Sequence, residues 1–175
     1  YEEEFAVTNL MAWSPDSEYL AYVRFDESEV PEYSMQMYGT GLYPGYYNFK
    51  YPKAGENNSK VSVHSYSVAT KDIKELKMPV DADSYIPRIT FTTNSDQLAV
   101  MTLNRQQNLF NMYYVNPKSG VSRLILRDEN KCYVDSEWLT SIHFNPNGFT
   151  YVSEQDGYSH IYLYSPTGVM QRQVT

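Results

Sequence analysis

The sequence predicts an all-β fold, and three observations predict it. The composition is the first: 18 Tyr and 15% aromatic residues, with Thr, Val and Ile spread throughout, suit pleated, half-buried surface better than helix. The second is a phrase written three times, an aromatic, a short polar turn and a small apolar strand. It runs Trp13-Ser14-Pro15-Asp16-Ser17-Glu18-Tyr19-Leu20-Ala21-Tyr22, then Phe91-Thr92-Thr93-Asn94-Ser95-Asp96-Gln97-Leu98-Ala99-Val100, then more loosely Phe144-Asn145-Pro146-Asn147-Gly148-Phe149-Thr150-Tyr151-Val152. A unit repeated on this scale means a propeller, a solenoid or an array. The third is strict alternation of apolar and polar residues after each phrase, the mark of a strand with one buried face.

Each copy continues alike. After the turn a strand runs outward: Tyr19 to Phe25, Gln97 to Leu103, Phe149 to Glu154. The alternating strand follows: Val61 to Val68, Leu109 to Val115, His160 to Tyr164. Corner residues come next, Thr70-Lys71-Asp72, Pro117-Lys118-Ser119-Gly120 and Pro166-Thr167-Gly168, types that supply fixed or positive φ. A short edge strand closes each copy: Ile73 to Leu76, Val121 to Asp128, Val169 to Val174. Four antiparallel strands joined by short turns describe a propeller blade. The expected fold is therefore about three four-stranded antiparallel blades forming part of a β-propeller. The blades span 1–78, 79–130 and 131–175. No long helix is expected.

The copies are unevenly spaced, and the excess lies between the second and third strands of copy one, at about residues 26–59. A structureless loop that long is unusual in a compact domain. It is acidic at Asp26-Glu27-Ser28-Glu29, aromatic from Tyr33 to Tyr51 and polar at Glu56-Asn57-Asn58-Ser59. The stretch Tyr43-Pro44-Gly45-Tyr46-Tyr47-Asn48-Phe49 is costly to leave in water. Either the insertion folds over its own blade, or it is an arm that packs on a second copy or another domain; the composition favours the arm.

The formal net charge is −7 and the pI about 4.9. That balance argues against a nucleic-acid surface, which usually shows a basic stripe, and suits a cationic ligand. One cysteine, Cys132, allows neither an intrachain disulfide nor a Cys-based zinc site, and His64, His143 and His160 lie far apart. No cofactor or metal is expected, and no apolar run approaches the ~20 residues of a membrane span.

Several runs carry a resemblance. They are Tyr1-Glu2-Glu3-Glu4-Phe5, Trp13-Ser14-Pro15-Asp16-Ser17, Phe25-Asp26-Glu27-Ser28-Glu29-Val30-Pro31, Tyr51-Pro52-Lys53-Ala54-Gly55, Asn104-Arg105-Gln106-Gln107-Asn108 and Asp156-Gly157-Tyr158-Ser159-His160. Together, in this order, they resemble the propeller domain of dipeptidyl peptidase IV-like serine peptidases over nearly the whole chain. The resemblance implies an eight-bladed propeller capping a C-terminal α/β-hydrolase domain absent from this chain. It also implies release of N-terminal dipeptides, with proline preferred second, from a parent protein that is periplasmic, secreted or at the cell surface.

By the same resemblance, Glu3 and Glu4 hold the protonated N-terminus of the substrate. An ammonium offers three donors and a full charge, and two carboxylates can accept them as charge-assisted hydrogen bonds. An internal peptide bond has no such charge, so the pair measures distance from the chain end. The plainer alternative is a solvated acidic run.

A hydrolase of this type needs a Gly-x-Ser-x-Gly elbow followed by an acid and a histidine. No elbow occurs in this chain, so no catalytic residue is assigned and the chain alone is expected to hydrolyse nothing. Because strands alternate in direction, segments entering a blade and those joining strands two and three should emerge on one face. Arg105 and Tyr158 are accordingly expected on the same face as Glu3 and Glu4, toward the hydrolase domain, as interface or supporting residues; the plainer alternative is ordinary loop residues that brace the blade. The arm at about 29–50 is expected to take part in homodimerisation, again by resemblance. The competing reading is a non-enzymatic propeller used as a protein-binding platform. A carbohydrate-binding propeller is permitted by the aromatic content and supported by no motif.

Overall fold

The computed structural model describes residues 2–175, with side chains described from Glu4 onward. A single turn of helix, α1 (Glu2–Phe5), leads into β1 (Met11–Trp13) and β2 (Tyr19–Asp26). The insertion forms its own hairpin, β3 (Glu32–Met37) and β4 (Gly45–Lys50), before β5 (Lys60–Ser67) and β6 (Ile73–Leu76) complete the first blade. The second blade is β7 (Tyr85–Phe91), β8 (Leu98–Leu103), β9 (Leu109–Val115) and β10 (Ser122–Glu129). A 3₁₀ turn, Ser136–Thr140, precedes the third: β11 (His143–Asn145), β12 (Gly148–Ser153), β13 (His160–Tyr164) and β14 (Met170–Gln173). The main sheets run β1-β2-β5-β6, β7-β8-β9-β10 and β11-β12-β13-β14, each wholly antiparallel. The all-β expectation of about three four-stranded blades matches these sheets.

The repeated phrase is the corner between a blade's first two strands. In copy one the Ser14 N–H donates to Tyr19 O at 2.9 Å, and in copy two the corresponding Thr92 N–H donates to Gln97 O at 3.0 Å. Asp16 N–H reaches Ser95 Oγ at 3.2 Å, so adjacent corners touch. Copy three turns more tightly, with Asn145 paired to Gly148. Gly148 sits at φ +144°, and a Cβ there would lie 1.9 Å from Tyr164 O. Only glycine fits that approach.

The core lies between blades. Ala21, Val63, Leu76, Ile86, Leu98 and Val100 cluster between blades one and two. Met101, Leu103, Phe110, Met112, Phe149 and Tyr151 cluster between blades two and three. Every residue of β8 is buried, because its alternate side chains feed the two clusters. Polar ties reinforce the joints. Ser65 Oγ donates to Pro117 O at 2.7 Å. Across the other joint Asp128 Oδ2 accepts from Ser153 Oγ at 2.6 Å and from the Tyr151 hydroxyl at 3.1 Å.

The insertion does not lie over its own blade. Its hairpin pairs Tyr33 with Phe49, Met35 with Tyr47 and Met37 with Gly45 on one face, and Glu32 with Lys50, Ser34 with Asn48 and Gln36 with Tyr46 on the other. This is the period-two alternation of a strand with two unlike faces. The root is pinned. Val30 is buried, Lys50 Nζ donates to Val30 O at 3.0 Å, and Lys60 pairs with Glu29 at 2.8 Å. Beyond the root, Leu42 and Tyr43 are 97% and 87% exposed, so the tip stands in solvent.

Candidate functional site

Three segments meet at one rim of the blades: the chain entering blade one, the 3₁₀ turn entering blade three, and the β8–β9 connection of blade two. The α1 turn ends at Ala6, whose φ of +48° stops the helix. Phe5 is buried and sets its ring edge-on to Tyr85, with centroids 5.2 Å apart. Arg88 Nη2 donates to Phe5 O, and Ser136 Oγ donates to Glu4 O at 3.5 Å. The 3₁₀ turn is itself capped, with Asp135 Oδ1 accepting from the Glu137 N–H at 2.9 Å. This cap is one of the features that sequence reading missed.

These anchors fix the backbone of Glu4 and leave its side chain exposed. Its Oε1 accepts a hydrogen bond from Gln107 Nε2 at 2.9 Å. Among the described residues nothing donates to Oε2. The side chain of Glu3 lies outside the described residues, so the expected carboxylate pair is represented by Glu4. The two glutamates follow one another on α1.

The β8–β9 connection is rigidly built. Asn104 Oδ1 accepts from the N–H groups of Asn108 and Leu109, both at 3.0 Å. Gln107 has a left-handed backbone, φ +56°. Its N–H donates to Asn104 O at 2.9 Å, and its C=O accepts from Val134 N–H at 2.8 Å. Arg105 Nη1 contacts Asp83 Oδ1 at 3.2 Å, and its Nη2 donates to Glu56 O at 3.1 Å. Arg105 therefore ties the arm's return and the entry to blade two into the same rim.

The rim's charges reach Tyr85. Burial pushes its hydroxyl pKa up, Arg105 pulls it back, and Asp83 and Glu4 push it further. Tyr158, in the β12–β13 connection, is 76% exposed. Its backbone N–H donates to Asp156 Oδ1 at 3.4 Å. No hydrogen bond among the described residues joins it to Glu4. The structure thus brings Glu4, Arg105 and their loops together, and leaves Tyr158 standing free in its own loop.

Beside Glu4 opens a hollow of ≈570 Å³, walled by Phe5, Arg88, Ser136, Glu137 and Trp138. Two carboxylates, Glu4 and Glu137, line it, while Arg88 turns its guanidinium to the carbonyls of Phe5 and Pro87. A concave surface lined by two carboxylates can bind a cationic group through charge-assisted hydrogen bonds. No cluster of three or more His, Cys, Asp or Glu suited to a metal ion occurs among the described residues. Gln107 is the functional candidate that sequence reading passed over. It stood inside a quoted motif, but its partner lies far away in the chain and no local pattern links the two.

A family model described as "Dipeptidyl peptidase IV (DPP IV) N-terminal region" matches residues 1–175. "Dipeptidyl peptidase 4" of Trichophyton rubrum is 33% identical over 183 residues, covering 96% of this chain and 23% of that protein. "Dipeptidyl-aminopeptidase B" of Aspergillus niger is 27% identical, covering 95% of this chain and 21% of that protein. Among solved structures, Porphyromonas gingivalis dipeptidyl peptidase 4 superposes with a TM-score of 0.95 at 62% identity, covering 100% of this chain and 25% of that one. A putative dipeptidyl aminopeptidase IV from Bacteroides ovatus gives a TM-score of 0.80 at 27% identity, covering 97% of this chain and 24% of that one. The chain spans about a quarter of the length of these relatives.

Proposed function

The chain belongs to the dipeptidyl peptidase IV N-terminal-region family, and on that premise we propose that it is the substrate-anchoring propeller portion of a dipeptidyl aminopeptidase. The parent protein is a serine exopeptidase that releases N-terminal dipeptides, with proline preferred second. Its nucleophile, acid and histidine sit on a C-terminal α/β-hydrolase domain outside this chain, so the chain alone is inactive. The parent works in the periplasm, as a secreted protein or at the cell surface.

Glu3 and Glu4 anchor the substrate's N-terminal ammonium. The observation that carries this reading is the state of Glu4: an exposed carboxylate on the edge of a hollow, with Oε1 held by a neutral amide and no donor to Oε2 among the described residues. Among the described residues no cation pairs with Glu4, so a protonated amine can settle there. Arg105 and Tyr158 shape the rim that faces the hydrolase domain. In the full-length protein, Glu3→Gln with Glu4→Gln should abolish dipeptide release while leaving thermal unfolding unchanged. Retained activity would remove the glutamates from the mechanism.

The arm at about 29–50 serves homodimerisation. Its support is the unlike faces of the hairpin, with Tyr33, Met35, Met37 and Tyr47 presenting an exposed apolar row. An isolated two-stranded hairpin is marginal in water, and a second copy would cover that row. Deleting 29–50 from the full-length protein should convert dimer to monomer in sedimentation. An unchanged dimer would sink the assignment.

A further inference from the structure

We propose that Gln107 is a positioning residue for Glu4, fixing its carboxylate so that the site holds a substrate's N-terminal ammonium strongly. This rests on the reading that Glu4 anchors that ammonium. Gln107 Nε2 donates to Glu4 Oε1 at 2.9 Å. The bond restrains the carboxylate through Oε1, and among the described residues nothing donates to Oε2. The donor is a neutral amide, so it holds the carboxylate without cancelling the charge the ammonium needs. A lysine or arginine in its place would compete with the ligand.

The backbone of Gln107 shows why a glutamine stands there. Its φ of +56° is a region that non-glycine residues seldom occupy and in which Asn and Asp are the usual exceptions. Glutamine gives up that local preference. What it adds over asparagine is one methylene, and that reach carries the amide to Glu4. The position is held from every side: the N–H by Asn104 O, the C=O by Val134 N–H, and the neighbouring Arg105 by Asp83 and Glu56 O. A donor on a fixed mount loses little freedom when the carboxylate accepts from it, which is what preorganisation requires.

The test uses the full-length enzyme and two competitive inhibitors that differ only in the amine, Ala-Pro and its desamino counterpart propionyl-proline. The ratio of their inhibition constants reads the amine's contribution. Gln107→Met and Gln107→Asn should each reduce that ratio about 3- to 10-fold, the scale of one ordinary hydrogen bond, with propionyl-proline binding unchanged. In a Glu4→Gln background, Gln107→Met should have no further effect. If Glu4→Gln lowers the ratio and neither Gln107 variant does, the positioning role is overturned and the anchoring reading stands. If Glu4→Gln leaves the ratio unchanged, the anchoring reading fails and takes this inference with it. Equal loss of both inhibitors would mark Gln107 as merely structural and also overturn the proposal. Asn suits a left-handed backbone, so Gln107→Asn carries the test if Gln107→Met does not fold.

Discussion

Blade two and the arm both place aromatic rings in stacked pairs, and they put those pairs to opposite use. Phe110 stacks on Tyr151 with centroids 5.5 Å apart, and both rings are buried. Tyr47 stacks on Phe49 at 5.4 Å, yet Tyr47 is 59% exposed. The ring geometry is nearly the same and the solvent is not. Ring contact alone is worth about 1 kcal/mol, while burying a whole aromatic side chain removes far more apolar surface from water. The inner stack therefore holds blades together. The outer stack stiffens a surface and leaves it available.

Substitutions can break or sharpen that contrast. The largest effect should come from Gly148→Ala at the corner between the first two strands of blade three. Its Cβ would collide with Tyr164 O, 1.9 Å away, for a loss of about 5 kcal/mol, at the top of the range for single changes. Gly55, on the arm's return, also has positive φ, +84°, but a Cβ there meets nothing within 4 Å. Gly55→Ala should cost only the backbone strain, about 1 kcal/mol. Equal losses in urea unfolding would erase the distinction between the two regions.

Phe110→Ala should cost about 4 kcal/mol, the usual toll for emptying a buried aromatic site. Tyr47→Ala in the arm should cost about 0.5 kcal/mol, the scale of one cross-strand pair, while weakening the proposed homodimer in sedimentation. A loss of several kcal/mol from Tyr47→Ala would mean that the arm is part of the core after all.

Alkali offers a probe of the blade joints without mutation. Burial raises the Tyr114 and Tyr164 hydroxyls to about 12, against an ordinary 10.0. A raised folded-state value favours the protonated, folded form. The stability from these two groups is therefore complete below pH 10 and declines as pH climbs to about 12. Urea midpoints measured from pH 9 to 12 should fall across that window. A flat profile would show that the two rings ionise without disturbing the joint. The smallest effect expected is Arg105→Ala, about 0.3 kcal/mol for a partly exposed ion pair, seen as faster proteolysis of residues 51–59.

The blades were legible in the sequence because inner strands such as β8 send alternate residues to two faces that pack on neighbouring blades. The corners were legible because Ser14 and Thr92 hold the same place in the phrase and make the same closing bond. The arm was legible as an insertion and not as a hairpin. Its own alternation, Tyr33, Met35 and Met37 against Phe49 and Tyr47, was present in the residues. It was diluted by Tyr38, Tyr43 and Tyr46, which break any simple apolar count. Glu4 was legible through its motif, whereas its partner Gln107 was not. That contact depends on how two blades are rotated past each other, and no local pattern records the rotation.

The pairing of Asp26 with Lys60 across β2 and β5 makes the arm a cassette. Everything from 27 to 59 leaves and re-enters the blade at two directly opposed rungs. Whatever is spliced there closes on a gap that the sheet has already set to the width of one strand spacing. Length and content can change without shifting any rung from Tyr19↔Ser67 to Asp26↔Lys60. The same port could accept a foreign hairpin, a tag or a binding loop.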